Sequence, residues 1–153
     1  MKKNLDLYFE KQNDSSKLIY TIGLLWGQIS NKLDSLLSKY NLNISKFNIL
    51  MIIKHIGGKD GIQQNEISQR LLVTPSNITK LLDRLEKDKM ISRNPKENDR
   101  RVKLIKISDT ASALLDEIWP YYSAEVIKIT EKLAENDKQD IEKILVEWLT
   151  NIK

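Results

Sequence analysis

Ser76, Asn77, Lys80 and Arg84 fall on the polar side of a short predicted helix, with small hydrogen-bonding groups at its N-terminus and cations further along. That grading suits a helix whose N-terminus enters the major groove of a duplex. Short hydroxyls and amides reach base edges there, while Lys and Arg reach phosphates. A second cationic group, Lys96, Arg100 and Arg101, lies on a segment that reads as the tip of a β-hairpin. An Arg on such a wing suits a narrow minor groove, whose negative potential attracts it. Residues 76–84 alone would also fit a three-helix core with a polar exposed face. The charged hairpin argues against that simpler reading.

Other chemistry is missing from the sequence. There is no Gly-rich phosphate loop, no nucleophile elbow and no His-Glu metal helix. The paired carboxylates Asp116 and Glu117 read as the solvated face of an amphipathic helix. The 153 residues include no Cys and one His, His55. This excludes a disulfide framework, a Cys-ligated zinc site and a thiol switch. His55 reads as a surface or half-buried residue favoured by the dipole at a helix end. No catalytic activity, metal or cofactor is expected.

Charge is unevenly spread. Residues 1–62 carry nine Lys/Arg and five Asp/Glu, residues 63–107 eleven and six, and residues 108–153 five and ten. A basic middle followed by an acidic tail suits a polyanionic partner for the middle. No run approaches the roughly 18 apolar residues of a membrane span. The first residues, Met-Lys-Lys-Asn-Leu-Asp, lack the apolar core of a signal peptide. A cytoplasmic protein with no membrane partner is expected.

The elements that must hold the cationic groups follow from periodicity. Leu18, Ile22, Leu25, Ile29, Leu33 and Leu36 recur at steps of three and four, predicting a helix of about 25 residues capped at Asp14 or Ser15. A helix that long in a small protein packs beyond its own domain. Ser45 is the expected cap of a second helix through Ile49, Leu50, Ile53 and Ile56, ended by Gly57-Gly58. Two short helices follow, Gln63 to Leu71 and a second capped by Thr74 with Pro75 in its first turn. Ile78, Leu81, Leu82 and Leu85 form the buried stripe of the second.

The period then changes to two. Met90 to Arg93 reads as a strand, Asn94 to Arg101 as a polar turn, and Val102, Leu104 and Ile107 as the apolar positions of a returning strand. Ser108 caps a long helix carrying Leu114, Leu115, Ile118, Trp119, Tyr122 and Val126, expected to run to Lys132 and to kink at Pro120. Asn136-Asp137 opens a last helix with Ile141, Ile144, Leu145, Trp148, Leu149 and Ile152 on one face.

The segments Gln64-Asn65-Glu66-Ile67-Ser68-Gln69-Arg70-Leu71, Thr74-Pro75-Ser76-Asn77-Ile78-Thr79-Lys80-Leu81-Leu82-Asp83-Arg84, Ile91-Ser92-Arg93 and Asn98-Asp99-Arg100-Arg101 resemble the MarR (multiple-antibiotic-resistance regulator) family. The resemblance spans almost the whole chain. It implies a mainly α fold with a small β-wing: a winged helix–turn–helix at 45–108, flanked by dimerisation helices at 1–44 and 109–153. It also implies a homodimeric transcriptional regulator, usually a repressor, on a pseudo-palindromic double-stranded DNA site.

By the same resemblance, Ser76, Asn77 and Lys80 match recognition-helix contacts. Asp99 matches the residue that braces a wing Arg, and Arg100 or Arg101 the Arg of the minor groove. Effectors of the family sit where the dimer helices meet the winged domain. Tyr20, Trp26 and Tyr122 are candidates there by location, for a small aromatic or amphipathic ligand. The sequence departs from the family pattern at Gln63, where a Ser or Thr cap is usual, and at Lys89 and Ala111, where Gly is common. The alternative function is a winged-helix module that binds protein and not DNA.

Overall fold

The computed structural model describes residues 9, 12–71, 75–96 and 99–152, with the backbone alone at 75, 76 and 99–101. Two compact units divide the chain at residue 115. The first holds helices α1 (Asp14–Leu37), α2 (Ile44–Ile52), α3 (Gln64–Leu71) and α4 (Pro75–Lys87). It also holds strands β1 (Ile62–Gln63), β2 (Ile91–Lys96) and β3 (Asp99–Ile107). Helix α5 (Asp109–Thr130) starts in the first unit and runs into the second, where α6 (Glu135–Asn151) follows. This is the winged helix–turn–helix architecture, mainly α with a small sheet.

Helix starts follow the residue that the incoming backbone leaves extended. Asn13, at φ −73° and ψ 165°, caps α1 by accepting the Ser16 N–H at 2.8 Å, one residue before the expected Asp14. Asn43 caps α2 through the Lys46 N–H at 2.9 Å, two residues before the expected Ser45. The Ile44 N–H donates to Asp34 Oδ1 at 2.6 Å and fastens α2 to α1. Ser108 caps α5 as expected, accepting the Ala111 N–H at 3.2 Å. That helix continues through Pro120 and ends at Thr130, two residues before the expected Lys132. Thr74 and the Leu72-Val73-Thr74 turn lie outside the described residues.

The core of the first unit is formed by Leu37, Phe47, Ile49, Leu50, Ile53, Ile67, Ile78, Leu82, Leu85 and Ile105, all nearly or wholly shielded from solvent. After α2 the chain makes one π-helical turn, Ile53–Gly57, and Gly58 leaves it at φ 51°. Gly61 takes φ 86°, and a Cβ there would lie 3.0 Å from the Ile105 carbonyl oxygen and 2.9 Å from Lys106 Cγ. That close approach brings Ile62 and Gln63 alongside β3, where Ile62 pairs with Ile105 and Gln63 with Leu104. Gln63 is therefore a strand residue, not the first residue of α3 as its helical neighbours suggested.

The sheet order is β1-β3-β2, all antiparallel. Strand pairing extends through Asn94, Pro95 and Lys96, with a bulge between the last two, so most of the expected polar turn is strand. Pro95 is accommodated because β2 is an edge strand. Among the described side chains of β3, Ile105 is fully buried, while Val102, Leu104 and Ile107, the expected apolar positions, are half-buried. Ile105 shares its face with Ile107, and these two pair with Arg93 and Ile91.

Helix α4 ends in a Schellman turn. The Met90 N–H donates to the Leu85 carbonyl and the Lys89 N–H to the Glu86 carbonyl, both at 2.9 Å, with Lys89 left-handed at φ 57°. A side chain in that conformation is strained, whereas glycine is not. Replacing Lys89 with Gly is therefore expected to raise stability by about 0.5–1 kcal/mol in denaturant melts. A destabilised Lys89→Gly protein would contradict this account of the turn.

The apolar stripe of α1 is covered only at its C-terminal end, by the burial of Leu33 and Leu37. Leu18, Ile19, Leu25 and Trp26 are exposed, Trp26 at 55%. In the second unit Ile141, Ile144, Leu145, Val146, Leu149 and Ile152 of α6 are all exposed, Ile144 at 63%. Among the described residues, no helix is long and apolar enough to cross a membrane.

Candidate nucleic-acid interface

Helix α4 is built to bury one side and present the other. Ile78, Leu82 and Leu85 are wholly buried, and Asn77, Thr79, Lys80, Asp83, Arg84 and Lys87 are exposed. The sequence-predicted residues Asn77, Lys80 and Arg84 thus share the solvent side of one helix. Ser76 is the second residue of α4, so it lies in the turn whose backbone N–H groups have no helical partner. Its side chain lies outside the described residues.

The wing stands beside this helix in the same unit. Lys96 is exposed at the end of β2 and pairs in register with Asp99. Arg100 and Arg101 follow on β3. The side chains of Asp99, Arg100 and Arg101 lie outside the described residues, so the brace expected of Asp99 remains a proposal.

Three contacts absent from the sequence reading fix the helix among its neighbours. Gln64 Nε2 donates to Thr79 Oγ1 at 2.8 Å, joining α3 to α4. Lys46 Nζ lies 2.8 Å from Asp88 Oδ2, tying α2 to the turn after α4. Arg93 Nη1 lies 2.7 Å from both Asp83 Oδ1 and Glu86 Oε2, tying β2 to α4. Gln64, Thr79, Asp83, Arg93 and Lys103 border an open cleft of about 430 Å³ between these elements. The only sequence signal for the Arg93 contact was the i, i+3 spacing of Asp83 and Glu86, which puts two like charges on one helix face and calls for a cation.

The candidate effector residues are distributed over both units. Tyr20 and Trp26 lie on α1, and the Tyr20 ring meets Phe9 edge-on at 5.8 Å. Tyr122 belongs to the second unit and stacks on Trp119 at 5.9 Å. Burial pushes the Tyr122 phenol above its ordinary range. No cluster of metal-ligating side chains occurs among the described residues. His55 is exposed, in keeping with a surface role.

A model of the MarR family matches residues 42–103, from just before the cap of α2 into the wing. The HTH-type transcriptional regulator PecS of Dickeya dadantii (strain 3937) is 30% identical over 117 residues, covering 76% of this chain and 70% of that protein. The HTH-type transcriptional regulator MhqR of Bacillus subtilis (strain 168) is 28% identical over 123 residues, covering 80% and 83%. In fold, the chain is similar to the S. aureus MepR crystallised as a DNA complex, with a TM-score of 0.81 at 21% identity over 93% of this chain and 100% of that one. The exposed helix, the paired wing and these likenesses converge, and the chain belongs to the MarR family.

Proposed function

We propose that this protein is a DNA-binding transcriptional regulator that acts as a homodimer on a pseudo-palindromic operator, as a repressor released by a small ligand. The observation that carries the reading is α4, whose N-terminal half presents Asn77 and Lys80 to solvent beside a wing ending in Lys96. Its relatives named as HTH-type transcriptional regulators support the DNA-binding part. In this reading residues 45–108 read DNA, and residues 1–44 and 109–153 pair with a second copy. Ser76, Asn77, Lys80 and Arg84 meet the major groove and its phosphates, while Lys96, Arg100 and Arg101 serve the wing.

The aromatic groups of α1 and α5 support the ligand part. Tyr122 offers a hydroxyl donor beside a stacked indole, and Trp26 offers an exposed aromatic face. A small aromatic or amphipathic molecule suits such surfaces.

Selection of bound duplexes from a random library tests the reading. Two inverted half-sites about 34 Å apart, or a multiple of that, are expected. Recovery of no preferred sequence, with a stable protein partner captured instead, would favour the interaction-module alternative. Asp99 provides a finer test. Arg101→Ala should weaken binding to most sites, with a bias against A/T-rich flanks. Asp99→Ala should imitate it if Asp99 holds a wing Arg. A bystander carboxylate close to phosphates would instead repel them, and its removal would tighten binding. Electrophoretic mobility shifts read the sign directly.

A further inference from the structure

Arg93 stands third in β2, opposite Ile105 in the register, and its guanidinium leaves the sheet toward α4. One nitrogen, Nη1, is 2.7 Å from Asp83 and 2.7 Å from Glu86. The Arg93 side chain is 18% exposed, against 56% for Asp83 and 40% for Glu86. The cation is therefore held in the angle between strand and helix, more enclosed than either anion, and Arg93 and Asp83 border the open cleft. Exposed carboxylates of this kind add little to stability, because water and salt compete for them. Their geometry is another matter. Asp83 and Glu86 are one turn apart, so a single planar group that satisfies both fixes a distance and an angle between α4 and β2.

We propose that Arg93 is a positioning residue for DNA recognition, clamping Asp83 and Glu86 so that the recognition helix and the wing are held at one fixed spacing. The proposal rests on the DNA-binding reading above. Arg93 adds to the basic charge of this region but is spent on the clamp, and so is not itself a DNA contact. The clamp has a mechanical meaning. Bases read by α4 and the groove entered by the wing lie on one rigid duplex. A wing free to swing would lose its contact without any change in the contact's own residues.

The test is a set of double-mutant comparisons on the full-length protein with an operator obtained by selection. Arg101→Ala is measured in wild type, in Arg93→Ala and in the Asp83→Asn/Glu86→Gln double variant. In wild type the expected penalty on operator affinity is about tenfold. In both clamp variants it should shrink below about threefold, because the wing is no longer delivered. The Asn77→Ala penalty should stay unchanged in all three, which a general loss of fold would not permit.

The double variant also separates the clamp from simple charge masking. Removing two carboxylates from a helix facing phosphates would tighten binding if masking were the role of Arg93. The clamp predicts weaker binding. Tighter binding by the double variant, or an Arg101→Ala penalty equal in all three backgrounds, overturns the proposal. Asn77 and Arg101 penalties that shrink together overturn it as well. A wild-type protein that selects no duplex at all fails the functional reading itself, and the clamp falls with it. These outcomes are distinct from a wild type that binds while the clamp variants behave additively.

Discussion

Between 50 and 200 mM salt, operator affinity is expected to fall by about 10³–10⁵-fold. Lys80, Arg84 and Lys96 are exposed, and Arg100 and Arg101 follow on the wing strand. A homodimer presents each of them twice. If about six to ten phosphates are neutralised, their condensed counterions are released on binding, and log affinity falls linearly with log salt. Fluorescence anisotropy across a salt series gives the slope. An affinity indifferent to salt would rule out the phosphate contacts and with them the proposed docking face.

Breaking the second-copy interface should have the next largest effect. Leu145 and Leu149 are exposed and four residues apart on α6, with Ile141 and Ile152 continuing the same strip. The uncovered stripe of α1 is a second exposed apolar face, and such faces mark interaction surfaces. Obligate interfaces of this kind bury about 2,000 Å² or more. Replacing Leu145 and Leu149 with Asp is expected to abolish the dimer. Operator affinity should fall by about 10²–10⁴-fold as the two half-site contacts lose their linkage. Sedimentation velocity on dilute protein checks the first outcome and mobility shifts the second. A wild-type protein that is a folded, monodisperse monomer at micromolar concentration would overturn the architecture.

Much of the interface was legible in the sequence because it is local. The stripe of Ile78, Leu82 and Leu85 defines the buried side of α4, and the opposite side follows from 100° per residue. Helix caps were harder. Asn13-Asp14-Ser15 and Asn43-Ile44-Ser45 each offer more than one acceptable cap, and the choice is made by which residue the incoming chain leaves in extended geometry. Strand β1 was invisible for a different reason. Two residues cannot show a period of two, and Ile62 and Gln63 are a strand only because Gly61 lets the chain approach β3.

The Arg93 clamp was hidden for a third reason. Asp83, Glu86 and Arg93 lie within eleven residues, but they meet only after the Schellman turn at Lys89 reverses the chain. The extent of the wing was misjudged because Asn94, Pro95 and Lys96 are poor strand formers by type. Their pairing with β3 overrides that preference.

The uncovered stripes of α1 and α6 also bear on the life of the protein in a cell. If the proposed homodimer completes the fold, its stability depends on its own abundance, because mass action adds to the folded state whatever association contributes. Scarce, newly made chains are then the most vulnerable to proteolysis, and accumulated ones protect each other. In the proposed homodimer, the same apolar surface that sets the spacing of two DNA-reading helices would thereby give the regulator a concentration threshold for persistence.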